Sequence, residues 1–334
     1  MSTLRFDYST SDWVIFAPLR SLRPQAKSRG PEVPVAVGCC PFCRGNEGLT
    51  PREVYAVRSG PGSADWLLRV VPNRFPALQV EEDHRRREDG PLFRSMGGCG
   101  AHEVLIESPE HDLHLSQQPV EQIERILEAA RLRYIDLMRD QRFQAIVIFK
   151  NHGEMAGTSL RHPHLQIIAT PVVPPLLRLK HRAAAEYFDQ RGTPLYLDMI
   201  QQEMADGRRM VAVNDDFAAF IPYSAHLPFE CWIVPRRKQG SFGQLDSAQR
   251  RPLAEILKSV LLKLYSGLDD PDYNLTIDVP ARGDEGEEYF QWHIRILPRL
   301  NTAAGFEMGS GMSINTVLPE DAAAFLRDGI DARG

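Results

Sequence analysis

The sequence predicts an α+β protein assembled from two similar units in tandem. Three observations carry this. Short apolar stretches with strand character recur along the chain, punctuated by Gly, Pro, Asn and Asp. Two stretches, about residues 119–139 and 247–265, instead repeat apolar residues at helical spacing. The order of these features in the first half then returns in the second half at a nearly constant offset. At 334 residues the chain has room for two domains of ordinary size.

Trp13–Ala17 reads as a strand, followed by a loop in which Arg20 and Arg23 stand three apart. Residues 25–38 are rich in Pro and Gly and read as irregular. Cys40-x-x-Cys43 then has the knuckle spacing that lets two thiolates share one tetrahedral metal, with Cys39 a rival for Cys40. No second Cys-x-x-Cys exists, so further ligands must be histidine or carboxylate. Leu67–Val71 is a strand ending in the turn Pro72-Asn73-Arg74-Phe75-Pro76, which exposes an amide. Residues 81–98 are charged and Gly-rich and read as a mobile surface loop. His102–Glu107 is the next strand, leading into Ser108-Pro109-Glu110-His111. Val120, Ile123, Ile126, Leu127, Ala130 and Leu137 mark a helix, and Gln144–Phe149 another strand. Residues 170–183, with Pro171, Pro174 and Pro175, read as a connector.

Between that strand and the connector lies the segment from Gly157 to Ile168, containing His162-Pro-His164-Leu-Gln166. Strand side chains alternate faces, so His162, His164 and Gln166 would share one wall while Leu165 and Ile167 turn away. Three polar groups on one face of an apolar strand need partners once they leave water. An isolated His-x-His also occurs as a hydrogen-bonded or solvated pair on an edge strand.

In the second half, Val211–Phe217 echoes Val70–Phe75, and Phe229–Val234 echoes His102–Glu107. A helix and the strand Tyr273–Asp278 follow, and Gln291–Pro298 stands where the central motif stood. Glu230 lies 127 residues after Glu103 (230 − 103), and His293 lies 129 after His164 (293 − 164). The second copy keeps one histidine of the pair, so one half carries chemistry and the other shape or substrate contacts.

Composition narrows the function. Net charge is −5, which argues against a general nucleic-acid binder but leaves room for a small phosphorylated ligand held by local arginines. No apolar run approaches a membrane span and the start does not read as a signal peptide, so a cytoplasmic protein is expected. Five cysteines (Cys39, Cys40, Cys43, Cys99, Cys231) do not form a disulfide framework in a reducing compartment.

Taken in order, these motifs resemble the galactose-1-phosphate uridylyltransferase branch of the histidine-triad superfamily. The resemblance runs from the paired arginines through the Cys-x-x-Cys, the Asn-x-Phe-Pro turn, Ser-Pro-x-His, the Asn-x-Gly loop and His-Pro-His-x-Gln. It continues through Pro228-Phe229-Glu230 and Gly305-Phe306-Glu307-Met308, and so covers nearly the whole chain. It implies two fused histidine-triad units, each a mainly antiparallel sheet with flanking helices, assembled as a homodimer. The first unit would span residues 1–175, with zinc and the nucleophile, and the second, degenerate unit 176–334, with substrate contacts. The implied reaction is ping-pong uridylyl transfer from UDP-glucose to a hexose 1-phosphate.

By the same resemblance, His164 is the nucleophile and Gln166 the amide that contacts the transferred phosphate. Cys40, Cys43, His111 and His162 match the zinc ligands, with His102 and His114 as rivals for the fourth place. Arg20, Arg23, Asn73, Asn151, Gly157 and Ser159 match nucleotide and phosphate contacts, and Glu307 lies in the segment that contacts the sugar. The chemistry suits these residue types. Imidazole, with an ordinary pKa of about 6.5, is a usable nucleophile at neutral pH if its other ring nitrogen holds the proton. Glutamine donates to a phosphate oxygen without adding charge, and glycines let backbone N–H groups approach it closely. Arginine pairs can offset a diphosphate's charge, although two arginines in a loop can also simply be solvated.

Three departures matter. Leu165 stands where the best-known members have glycine. His293-Ile294-Arg295 lacks the His-x-His of a second metal site. Asn301-Thr-Ala-Ala lacks the lysine expected to hold the sugar phosphate. Two other functions therefore stand beside uridylyl transfer: an ADP-sugar or dinucleotide phosphorylase using the same histidine, and a non-catalytic, zinc-stabilised nucleotide-binding protein.

Overall fold

The computed structural model describes residues 2–22 and 40–328. The chain opens with strands β1 (Thr3–Asp7) and β2 (Asp12–Phe16). The first unit continues with β3 (Tyr55–Arg58), β4 (Trp66–Pro72), β5 (Arg87–Glu88), β6 (Arg94–Ser95) and β7 (Ala101–Ile106). Helix α1 (Val120–Leu137), β8 (Ala145–His152) and β9 (His164–Thr170) complete it. Two helices follow, α2 (Pro175–Arg191) and α3 (Leu195–Asp206). The second unit holds β10 (Met210–Val213), β11 (Phe217–Phe220), β12 (Cys231–Pro235), α4 (Ser247–Leu268), β13 (Tyr273–Asp278) and β14 (His293–Pro298). The chain closes with α5 (Gly305–Ser310), β15 (Ile314–Asn315) and α6 (Pro319–Asp328).

Among the described residues, ten strands form one sheet in the order β10-β11-β12-β14-β13-β8-β9-β7-β4-β3. Every pairing in it is antiparallel. Outward from the β8–β13 seam, the first unit runs β8, β9, β7, β4, β3 and the second β13, β14, β12, β11, β10. These are corresponding strands in corresponding order, which is the duplication expected from the sequence. At the seam Asn151 lies opposite Asn274.

Strand alternation divides the core. Leu105, Leu165, Ile167 and Ile294 face a main cluster filled by α1 and α4, whose buried stripes include Ile123, Ile126, Leu127, Leu257 and Leu261. Helix α4 is started by Asp246, whose carboxylate accepts from the Ala248 and Gln249 N–H groups. The opposite face is covered differently in each half. In the second unit Tyr196 and Ile200 of α3 pack on Phe220, Trp232 and Val234. In the first, Cys40 and Phe42 pack on Val71, Val104 and Ile106. His164 emerges on that face. Among the described residues, no helix is long and apolar enough to cross a membrane.

Three expectations need correction. The supposed connector 170–183 is helical from Pro175 onward, because proline fits the first helical position, where no N–H partner is required. Residues 81–98 are not wholly irregular: β5 and β6 pair as a short exposed hairpin. The central strand begins at His164, leaving His162 in the bend before it.

Candidate active site and metal centre

His164 opens β9 and is only 6% exposed. Its Nδ1 lies 2.8 Å from the His162 carbonyl oxygen. A carbonyl only accepts, so Nδ1 carries the proton and Nε2 keeps the lone pair. Burial, reinforced by nearby Lys150 and opposed by that hydrogen bond, pushes the ring's pKa down to about 4. The imidazole is therefore uncharged at neutral pH. Phe42 sets a ring edge against it, with centroids 5.3 Å apart. Behind it Lys150 donates to Glu107 at 2.7 Å and to the His164 carbonyl at 3.4 Å.

Gln166 lies one alternation along the same strand. Its Oε1 is 2.9 Å from His102 Nε2, which is also 3.1 Å from Asn73 Nδ2. The Asn73 side-chain oxygen Oδ1 accepts from the Phe75 N–H at 2.9 Å, so the oxygen end of the turn amide is held.

The loop after β8 wraps towards this face. Gly153 has φ +83°, and a Cβ there would collide with the Asp272 carboxylate, which accepts from the Met155 N–H. Gly157 has φ +85°, and Gly157 and Ser159 are exposed at the loop tip. The Thr158 hydroxyl between them is buried without a hydrogen-bond partner. Asn274, across the seam, donates to the Asn151 side-chain oxygen Oδ1 at 2.8 Å and to the Ala156 backbone carbonyl at 2.9 Å. Asn151 is thereby tied to the loop with its N–H2 end uncommitted.

Cys40, Cys43, His111 and His162 present one ligand atom each, all within 4.8 Å of one another. Cys43 Sγ lies 3.2 Å from His111 Nδ1 and 3.6 Å from His162 Nδ1. His162 is fully buried, and its Nε2 donates to the Ser108 carbonyl at 2.8 Å. That bond puts the proton on Nε2 and turns the lone pair of Nδ1 towards the thiols. Two sulfurs and two imidazoles, that of His162 with its tautomer set, form a donor set that fits a tetrahedral, thiophilic metal such as zinc. The rivals go elsewhere: His102 bonds Gln166, and the ring of His114 packs against that of His152 at 4.7 Å. Cys39 lies outside the described residues.

The remaining described sequence candidates are Arg20 and Glu307. Arg20 is exposed on the turn Pro18–Leu22, and Arg23 lies outside the described residues. The Glu307 carboxylate accepts from the Ala304 N–H at 3.0 Å and so caps its own short helix. Among the described residues, no hydrogen bond or ion pair joins Arg20 or Glu307 to the His164 cluster.

Three features were missed by sequence reasoning. They are the His102–Gln166 bond, the Lys150–Glu107 pair, and Asn274 with Asp272 reaching from the second unit. Lys150 at the end of the apolar run Ala145–Phe149 was the available signal, since a charge entering a buried strand needs a partner.

The second unit shows what becomes of the same position. His293 Nδ1 lies 3.0 Å from the Gln291 carbonyl, the anchor used by His164. Yet its ring stacks on Trp232 at 4.7 Å, is roofed by Tyr196, and is fully buried. Its Nε2 is 3.4 Å from Asp278, a carboxylate shared with Lys180 and Arg295.

Comparison with known proteins agrees with this architecture. A family model described as galactose-1-phosphate uridyl transferase, N-terminal domain, matches residues 2–174, and its C-terminal counterpart matches 180–330. ADP-glucose phosphorylase of Arabidopsis thaliana is 35% identical over 331 residues, covering 97% of this chain and 92% of that protein. Galactose-1-phosphate uridylyltransferase of Thermotoga maritima is 28% identical, covering 98% of each. The crystal structure of the Arabidopsis ADP-glucose phosphorylase with bound ADP-glucose superposes with TM-score 0.85 at 32% identity, covering 98% of this chain and 99% of that one. A solved uridylyltransferase superposes with TM-score 0.76 at 25% identity, covering 99% of each. Fold and relatives together define a nucleotidyltransferase built from two fused α+β units. The chain belongs to the galactose-1-phosphate uridylyltransferase family.

Proposed function

We propose that the protein transfers a nucleotidyl group through His164, with an ADP-sugar as donor and inorganic phosphate as acceptor. The observation that carries the covalent step is the His164–His162 carbonyl bond, which leaves an uncharged ring with its Nε2 lone pair free. Nε2 attacks the α-phosphorus of the donor. A P–N bond forms, the P–O bond to the sugar phosphate breaks, and sugar 1-phosphate leaves with the electron pair. A phosphate oxygen then attacks the same phosphorus, the P–N bond breaks, and the nucleoside diphosphate is released. Gln166 and Asn73 donate to non-bridging oxygens, Asn151 and the Gly157–Ser159 loop hold the diphosphate, and Arg20 and Arg23 offset its charge.

The choice of donor and acceptor rests on two supports. The likeness to an ADP-glucose phosphorylase, at 35% identity, exceeds that to the uridylyltransferase named above, at 28%. Residues 301–304 carry no lysine for a hexose phosphate. Uridylyl transfer between UDP-glucose and a hexose 1-phosphate, the reading the sequence first suggested, shares the intermediate and is supported by the family match. A donor panel separates the two. With radiolabelled ADP-glucose and UDP-glucose and no acceptor, the proposal expects acid-labile, base-stable label on protein from ADP-glucose, absent in His164→Ala. Label from UDP-glucose alone would restore the uridylyl reading. Label from neither would leave a nucleotide-binding protein without turnover.

The reading extends to the metal and the assembly. Cys40, Cys43, His111 and His162 would hold a zinc ion, which would supply structural support to this unit. Its ligand His162 also supplies the carbonyl that anchors His164. Residues 1–175 form the unit with metal and nucleophile, and residues 176–334 the unit with substrate contacts, Glu307 among them. The chain works as a homodimer in the cytoplasm; sedimentation at micromolar concentration tests the dimer.

A further inference from the structure

We infer that His102 is a positioning residue that locks the Gln166 amide with its N–H2 end towards the transferred phosphate, an inference that rests on the reading of Gln166 just given. His102 lies on β7 and Gln166 on β9, paired antiparallel strands in which Val104 is the direct partner of Gln166. His102 is thus the diagonal neighbour on the same face. The Ala77 backbone N–H donates to His102 Nδ1 at 3.1 Å. A backbone amide only donates, so Nδ1 holds a lone pair, and the ring's one proton sits on Nε2. Nε2 is 2.9 Å from Gln166 Oε1 and therefore donates to it. The carbonyl end of Gln166 is occupied, and both of its N–H donors remain for a ligand.

Asn73 is oriented by the same logic. Its Oδ1 accepts from the Phe75 N–H, so its N–H2 end is the one 3.1 Å from His102 Nε2. Two donors do not bond each other, so the Asn73 hydrogens are also left for a ligand. One histidine, whose tautomer is set by a single backbone N–H, keeps Gln166 presenting donors, and the Phe75 N–H does the same for Asn73. For an anionic phosphate this distinction decides attraction or repulsion, because a flipped glutamine would aim its oxygen at the substrate.

The test uses the two α-phosphorothioate diastereomers of ADP-glucose in single-turnover formation of the nucleotidyl-histidine. Sulfur accepts hydrogen bonds poorly, so the rate ratio between diastereomers reports donors aimed at one oxygen. The wild type should prefer one diastereomer by about tenfold or more, the scale of one good hydrogen bond to a charged group. Gln166→Ala should bring the ratio near one. His102→Ala should do the same, and the double variant should react no more slowly than Gln166→Ala alone. His102→Gln, which keeps an N–H donor at similar reach, should recover most of the ratio even if the alanine variant folds poorly. The inference is overturned if His102→Ala and His102→Gln, folded by circular dichroism, behave alike, or if His102→Ala keeps the wild-type ratio while Gln166→Ala loses it. A wild type that forms no adduct would instead overturn the reading of the site itself, and this inference with it.

Discussion

Lys150 and Glu107 form an ion pair at 2.7 Å with both side chains at most 2% exposed. Neither charge sees water, so each depends on the other, and removing one partner strands its mate in the core. Glu107→Ala is expected to lower stability by about 3–5 kcal/mol in denaturant titration. A loss below about 1 kcal/mol, typical of surface pairs, would mean that water reaches Lys150.

A second residue pair sets a pH dependence. His226 Nε2 lies 2.9 Å from Asp7, with Asp12, Glu230 and Ser313 also facing the ring. Burial opposes the charge on His226, but Asp7 and the neighbouring acids outweigh it and raise its pKa above 6.5. Burial likewise opposes the charge on Asp7, but His226 outweighs it and holds the pKa below 3.8. The raised histidine stabilises fully below 6.5 and loses this as pH rises through its folded value; the lowered aspartate stabilises above 3.8 and loses this as pH falls through its folded value. Both contributions are complete between those limits. Asp7→Asn should therefore destabilise more at pH 5.5 than at pH 8.5, as measured by thermal unfolding at each pH. Equal losses at the two values would remove the ion pair from the account.

At the scale of elements, the loop between β8 and β9 is shaped by a residue that allows no substitute. Gly153 combines a positive φ with direct contact to Asp272 from the second unit. Gly153→Ala should cost about 1–3 kcal/mol and slow nucleotidyl transfer, because the loop must move or Asp272 must release the Met155 N–H. An alanine variant with wild-type stability and rate would show that the loop relaxes freely. The elements themselves were largely legible in the sequence. Apolar periodicity located α1 and α4, and alternation correctly turned Leu165 and Ile167 away from His164 and Gln166, into the main core. Helix α2 was hidden because three prolines between 171 and 175 look like punctuation when the last of them is a helix start. Pairing across the seam was also hidden, since nothing local in Asn151 or Asn274 announces a partner 123 residues away.

For the whole molecule, the two units show how a duplicated scaffold can surround the same histidine position in two different ways. Both anchor a histidine through a backbone carbonyl, but Trp232 and Tyr196 close over His293, while the Cys40–Phe42 segment leaves His164 at a face with the glycine loop. The thiol pair at knuckle spacing was legible in the sequence, and the expectation that His111 and His162 join it came from resemblance; the four residues do gather in one cluster. The tautomers of His162 and His164 were not legible, because their carbonyl partners lie on the backbone, where every residue looks alike. Cys43→Ala should lose the zinc measured by atomic absorption and lower the melting temperature. Unchanged metal content would exclude Cys43 from the centre.

The central claim is that a nucleotide becomes bonded to one imidazole. Peptide mass spectrometry on protein quenched at alkaline pH after a single turnover with ADP-glucose, without phosphate, tests it directly. The account expects one adenylylated peptide with the modification at His164, lost when phosphate is added before the quench. An adduct on any other residue, or turnover of ADP-glucose with no adduct at any time, would contradict it.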